Sequence, residues 1–247
     1  MAHRGVSSRC PESTRAGFDM AVAQRADAIE CDLQLTADNQ IVICHDTTLE
    51  RYGHSGVRIG EITLVDLQQL DMGSWFAAKF SQQRLLSLEE MLSGYGSIIR
   101  LCLEVKTDEL TESQCDVLVK KLTDSVCSHQ LQNQIVFLGF DSKTMQHIRN
   151  VAPWAWLALN THEPHQIDES ALHDRPWLNG VDGNIKQLSK PVVEMLHRHE
   201  LASLTFTCDS KDDVLKAWDL GVDAIITGDP EYACEIIRQH RQQNIAS

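Results

Sequence analysis

The strongest constraint on how this chain can fold is an alternation: a short apolar run followed by a longer amphipathic stretch, recurring eight times almost to the C-terminus. The apolar runs are the first few residues, then AIECDLQL (28–35), IIRLCLEVK (98–106), IVFLGF (135–140), WAWLALN (154–160), GVDGNI (180–185), SLTFTC (203–208) and DAIIT (223–227). Runs of this length bounded by polar turn residues read as strands. The stretches between them, 14–26, 87–95, 111–130, 142–151, 167–174, 190–200, 211–220 and 230–243, read as helices. Several carry start signals: S-L-E-E at 87–90, T-E-S-Q at 111–114, S-K-D-D at 210–213, and Asp229 before Pro230. Strand and helix in strict alternation predict a parallel sheet covered by helices. Eight repeats in 247 residues favour closure into an α/β fold of (β/α)8 TIM type, with an open doubly wound sheet as the alternative. The expectation is a single barrel domain over 1–247.

Two features interrupt the pattern. IVICHD at 41–46 follows a D-N-Q turn and can pair back as a hairpin on the second strand. Residues 47–86 then form a small inserted segment after that strand, with one short helix expected at LVDLQQL and an aromatic cluster of Trp75, Phe76 and Phe80. An insertion of this kind is usually functional or lid-like. Its aromatics either pack it onto the barrel or line an apolar groove.

Composition narrows the function. At 43% hydrophobic residues the chain can bury a substantial core. No apolar run approaches the roughly 20 residues of a spanning helix, so no transmembrane segment is expected. The net charge of −13 argues against an extended nucleic-acid surface. The eight cysteines show no C-x-x-C spacing, and four of them sit inside apolar runs. They read as buried thiols in a reducing compartment, which, with no secretory signal at MAHRG, gives a cytoplasmic expectation.

In a barrel the chemistry sits at the C-terminal ends of the strands, so the informative residues are polar ones closing an apolar run. This selects His3 and Arg4 in the first run, Glu30 and Asp32 in the second, His45 and Asp46 at the end of the hairpin, and Glu104 and Lys106 in the third. Strand alternation puts Glu30 and Asp32 on one face. Three buried carboxylates on neighbouring strands would cost several kcal/mol each unless neutralised. A hard divalent cation does this with oxygen ligands and keeps positions open for a phosphate, while Arg4 and Lys106 supply positive charge to an anion. A salt bridge or a helix cap explains any one such carboxylate pair, but accounts poorly for the whole set together. The other nine histidines fall mostly in helices or loops and read as solvated.

These residues resemble the glycerophosphodiester phosphodiesterase family. Its H-R-G matches His3, Arg4 and Gly5, and its P-E-N-T matches Pro11 to Thr14 with Ser13 in place of asparagine. Its E-x-D matches Glu30 and Asp32; its H-D with T-[TL]-x-R matches His45, Asp46, Thr48, Leu49 and Arg51; its E-x-K matches Glu104 and Lys106. Gly221 to Pro230 resembles the closing G-V-D-x-I-x-T-D-x-P, here with T-G-D-P. The family's aromatic W-T-x-N is F-T-C-D here, and its Ser-Phe is Gly139-Phe140. The resemblance implies a TIM-type barrel that hydrolyses small-molecule glycerophosphodiesters to glycerol 3-phosphate and an alcohol. It implies one divalent cation, Ca or Mg, held by Glu30, Asp32 and Glu104, with His3 and His45 as general acid and base. Arg4, Lys106, Phe140 and Phe206 would bind substrate. A lysophospholipase D or phosphoinositide phospholipase on the same barrel is the alternative, and it would want an apolar groove at the mouth.

Overall fold

The computed structural model describes residues 1–245, so the last two positions of the expected 1–247 unit lie outside the described residues. Each expected strand forms: β1 (Ala2–His3), β2 (Ala28–Leu35), β4 (Arg100–Val105), β5 (Ile135–Gly139), β6 (Trp156–Thr161), β7 (Gly180–Asn184), β8 (Ala202–Phe206) and β9 (Ala224–Ile225). They run parallel in the order β1-β2-β4-β5-β6-β7-β8-β9. β3 (Ile41–Ile43) pairs antiparallel with β2, which is the expected hairpin. The sheet closes where Ala2 bridges to Thr227, with His3 N donating to Thr227 O at 2.9 Å and Thr227 N to Met1 O at 3.1 Å. Closure selects the (β/α)8 barrel over the open sheet.

Helices α1 (Arg15–Ala23), α3 (Leu88–Tyr95), α4 (Glu112–Ser128), α5 (Ser142–Val151), α6 (Glu169–His173), α7 (Lys190–Arg198), α8 (Lys211–Leu220) and α9 (Pro230–Ile245) form the outer layer. Their starts follow the local chemistry. Ser87 with Glu90 and Thr111 with Gln114 form reciprocal capping boxes, and Ser210 accepts from Asp213 N. α6 is shorter than the expected 167–174, because Asp168 caps its start by accepting from Ala171 N and Asp174 closes its end.

The two faces of each strand have separate fates. Ile29, Cys31, Leu33, Leu101, Leu103 and Phe137 point outward and pack under the helices in the largest core cluster. Ala28, Cys102, Leu138, Ala158, Leu204 and Ile226 fill the barrel interior. The interior face of β2 thus carries Ala28, Glu30 and Asp32 in turn, apolar at the bottom and acidic at the top.

The insertion has a core of its own, in which Leu49, Tyr52, Ile59, Leu67, Met72 and Leu85 pack against Val42 and Cys44. Its single α-helix, α2 (Leu64–Leu67), covers only the first part of LVDLQQL. Trp75 packs edge-on against Tyr52 at 5.4 Å and against Phe76 at 5.8 Å, and Phe76 continues to Phe80. The aromatics therefore hold the insertion together. All eight cysteines are free thiols. No helix among the described residues is long and apolar enough to cross a membrane.

Candidate active site

Where the strands end, the backbone brings its polar tips to one cleft of about 360 Å³. β1 contributes His3 and Arg4, in register with Glu30, and Arg4 N donates to Glu30 O at 2.8 Å and to Glu30 Oε2 at 3.1 Å. To make this tip the chain enters left-handed backbone at Arg4 (φ 56°) and Gly5 (φ 82°). A Cβ on Gly5 would stand 2.6 Å from the Gly17 carbonyl carbon, which explains the glycine in H-R-G.

Asp32 is in register with Glu104 on the adjacent strand, and Glu30 lies one interior position below. All three carboxylates are buried, and each can bring one oxygen within 4.8 Å of the others. Two cations face them. Lys106 Nζ reaches Asp32 Oδ1 at 3.1 Å and also bonds Glu104 Oε1. Arg4 Nε lies 3.2 Å from Asp32 Oδ2, yet that buried oxygen receives no hydrogen bond. Asn160 Nδ2 donates to Glu104 Oε2 at 3.0 Å and fixes its rotation.

The electrostatics follow from enclosure. Burial, then the charges of Asp32 and Glu104, push Glu30 well above the carboxylate range. Glu104 rises to about 7 through burial and Asp32, with Lys106 opposing. For Asp32 burial acts upward as well, but Lys106 and Arg4 outweigh it and hold the group below its usual value. The trio is an electrostatic surplus. One oxygen-seeking cation would relieve it, and the undonated Asp32 Oδ2 is the kind of buried ligand atom such an ion takes.

His3 Nε2 stands 3.9 Å from Glu30 Oε2. Burial and the neighbouring Arg4 push its imidazole down to about 4. His45 follows β3, where Gln34 Nε2 holds the carbonyls of Cys44 and His45 at 3.0 and 2.9 Å. Its Nδ1 bonds Asp46 Oδ1 at 2.6 Å. Burial acts upward on Asp46, but bonds from His45 and Arg51 prevail and leave it below its ordinary value.

Of the residues singled out in the sequence, His3, Arg4, Glu30, His45, Glu104, Lys106, Phe140 and Phe206 line the cleft, and Asp32 lies just behind, against Arg4 and Lys106. Six further residues line it that were not singled out: Leu138, Asn160, His162, Asp182, Thr207 and Ile226. Asn160 closes the run WAWLALN and was open to the same reasoning, whereas Asp182 sits inside GVDGNI. His162, read as a solvated loop residue, is exposed but stacks on Phe140 at 4.7 Å, and Phe206 meets both rings edge-on. Trp75, Phe76 and Phe80 are not among the lining residues.

The profile of the glycerophosphoryl diester phosphodiesterase family matches residues 3–232. The chain belongs to this family. The Bacillus subtilis protein YhdW is 30% identical over 250 residues, covering 99% of each chain. The glycerophosphodiester phosphodiesterase of Caldanaerobacter subterraneus is 27% identical, covering 97% of each. Among solved structures, an Oleispira antarctica phosphodiesterase in complex with its product sn-glycerol-3-phosphate superposes with a TM-score of 0.86 at 25% identity, over 96% of this chain and 95% of that one. As a member of the glycerophosphoryl diester phosphodiesterase family the chain is a phosphoric diester hydrolase on a TIM-type barrel, with a buried acidic cluster able to bind a metal ion.

Proposed function

We propose that this chain, acting as one barrel unit, hydrolyses glycerophosphodiesters to glycerol 3-phosphate and an alcohol by metal-assisted acid–base catalysis with His3 and His45. The observation that carries it is that both imidazoles open onto one cleft beside a buried trio of carboxylates. Glu30, Asp32 and Glu104 would hold one Ca or Mg ion, which supplies Lewis-acid polarisation of a phosphoryl oxygen when bound. Arg4 and Lys106 face the remaining phosphoryl charge. Phe140 and Phe206 give the glycerol carbons an apolar wall.

The substrate's 2-hydroxyl attacks phosphorus as one histidine removes its proton, and the other gives a proton to the departing alcohol oxygen. Water then opens the cyclic phosphate with the two roles exchanged. Burial and Arg4 push His3 down to about 4 and so keep it neutral at pH 7. His45 holds Nδ1 on Asp46 and works through Nε2.

The test is hydrolysis of glycerophosphocholine with and without chelator, in wild type and in His3→Ala and His45→Ala. Chelation abolishes turnover, and each substitution lowers kcat about 10²–10⁴-fold, the usual worth of a positioned acid or base. Turnover that survives thorough chelation would remove the cation from the mechanism.

A further inference from the structure

Arg51 belongs to the insertion, in the short 3-10 turn Glu50–Tyr52. Its guanidinium reaches two separate parts of the site. Nε donates to Asp46 Oδ2 at 2.7 Å, on the carboxylate whose other oxygen bonds His45 Nδ1. Nη1 and Nη2 donate to the two oxygens of Glu12 at 3.0 and 2.8 Å. Glu12 is buried and also accepts from Arg4 Nη1 at 3.3 Å and from Tyr52 Oη at 2.7 Å. One planar fork therefore stands between the carboxylate that aims His45 and the carboxylate that aims Arg4.

We infer that Arg51 is a positioning residue that sets His45 and Arg4 together, making correct docking of the insertion a condition of catalysis. This rests on the acid–base reading of His45 given above. An ionised carboxylate only accepts, so Asp46 requires the proton of neutral His45 on Nδ1 and leaves Nε2 as the working nitrogen. Asp46 can hold that pose only if its own rotation is fixed, which the Nε bond does. Glu12 needs the same restraint to keep Arg4 against the phosphoryl position. A lysine in place of Arg51 carries the charge but has no rigid fork with which to bond both carboxylates at set angles.

A purely structural anchor is the competing explanation. The insertion already has its own apolar core around Leu49, Tyr52, Ile59 and Met72, and a second ion pair from Arg58 Nη2 to Glu109 Oε2 at 2.6 Å. Arg58 touches neither Asp46 nor Glu12, so its loss reports what loosening the insertion alone does.

The experiment measures kcat and KM for glycerophosphocholine in wild type, His45→Ala, Arg51→Ala, Arg51→Lys and Arg58→Ala, with melting curves and 15N spectra of the His45 ring. The first two variants test the acid–base reading by itself. If wild type turns over and His45→Ala does not, the Arg51 variants then decide the inference. Arg51→Ala lowers kcat about 10²-fold, the scale of a misplaced catalytic group, while KM stays within about threefold. Arg51→Lys remains folded and stays at least about tenfold below wild type, because the bidentate geometry is lost. Free guanidinium at millimolar concentration raises kcat of Arg51→Ala and leaves wild type unchanged. The His45 spectrum moves from a single Nδ1-protonated form in wild type to a mixture in Arg51→Ala. The inference is overturned if Arg58→Ala loses as much kcat as Arg51→Ala, if Arg51→Lys matches wild type, or if the His45 tautomer is unmoved.

Discussion

Burial and the charge of Asp32 raise the Glu104 carboxyl to about 7, and that makes the stability of the metal-free protein fall as pH rises. Its carboxyl moves from an ordinary 4.5 to about 7, through burial and the charge of Asp32, against the pull of Lys106 and Arg4. Glu30 and Asp182 press the same way, since each is itself pushed well above its usual range by burial and by Glu104. A carboxyl whose folded value exceeds its unfolded one contributes fully below 4.5 and loses that contribution as pH climbs through 7. Charging Glu104 in the fold then costs about 3 kcal/mol. In a chain of this length that is a fall in Tm of roughly 6–12 °C. Carboxyls held low, such as Asp46 and Asp213, finish titrating at lower pH. His3, pushed down from 6.5 to about 4, acts in the opposite sense below 6.5, so the difference between wild type and a variant without the Glu104 carboxyl isolates that group across roughly 5.5 to 8. The assay is thermal melting across that window in chelator, for wild type and Glu104→Gln. The variant, with nothing to ionise, gains on wild type as pH rises. Added Mg or Ca lifts wild type most at the alkaline end, because the ion takes the charged carboxylate. A constant separation between the two proteins across the window would refute the account.

Four other outcomes follow from the geometry. Asn160→Ala frees Glu104 to rotate and weakens cation affinity about 10–100-fold by calorimetry, the usual loss when a ligand's supporting hydrogen bond is removed. Phe206→Ala raises KM for glycerophosphocholine several-fold and spares kcat, whereas a fall in kcat alone would show that the ring does not bind substrate. Gly5→Ala drives a Cβ into the Gly17 carbonyl from a left-handed backbone, so it costs about 2 kcal/mol or more and lowers kcat through His3, read by melting and turnover. Among the thiols, Cys127 and Cys234 are exposed, and a thiol reagent modifies them before the rest, whereas early reaction at Cys31 or Cys102 would contradict their burial.

Much of this was legible in the sequence because two periodicities state it directly. Runs of strand length between capped helices fix the barrel, and alternation along AIECDLQL puts Glu30 and Asp32 on the inside. The ends were less legible. α6 starts late at its Asp168 cap, and β1 and β9 are only two residues long, since their tips are spent on the site and on closing the sheet. His162 was read as solvent-facing because nothing local distinguishes it. Only the barrel's curvature brings it over Phe140. The role of Arg51 is hidden for the same reason: its partners Glu12 and Asp46 come from separate segments and meet through the fold of the insertion. Short-range pattern reports which face a residue takes, while meetings across the barrel mouth depend on loop paths that pattern does not encode.

The bridge between Ala2 and Thr227 has a consequence for biosynthesis. A ribosome makes the stave carrying His3 and Arg4 before the other staves of the barrel, yet that stave finds its second neighbour only when the last of them has emerged. Joining such distant segments is entropically costly and slow. A nascent chain can therefore expose its acidic trio long before the imidazole beside it is locked in place, and hydrolytic competence arrives as one of the last events of folding.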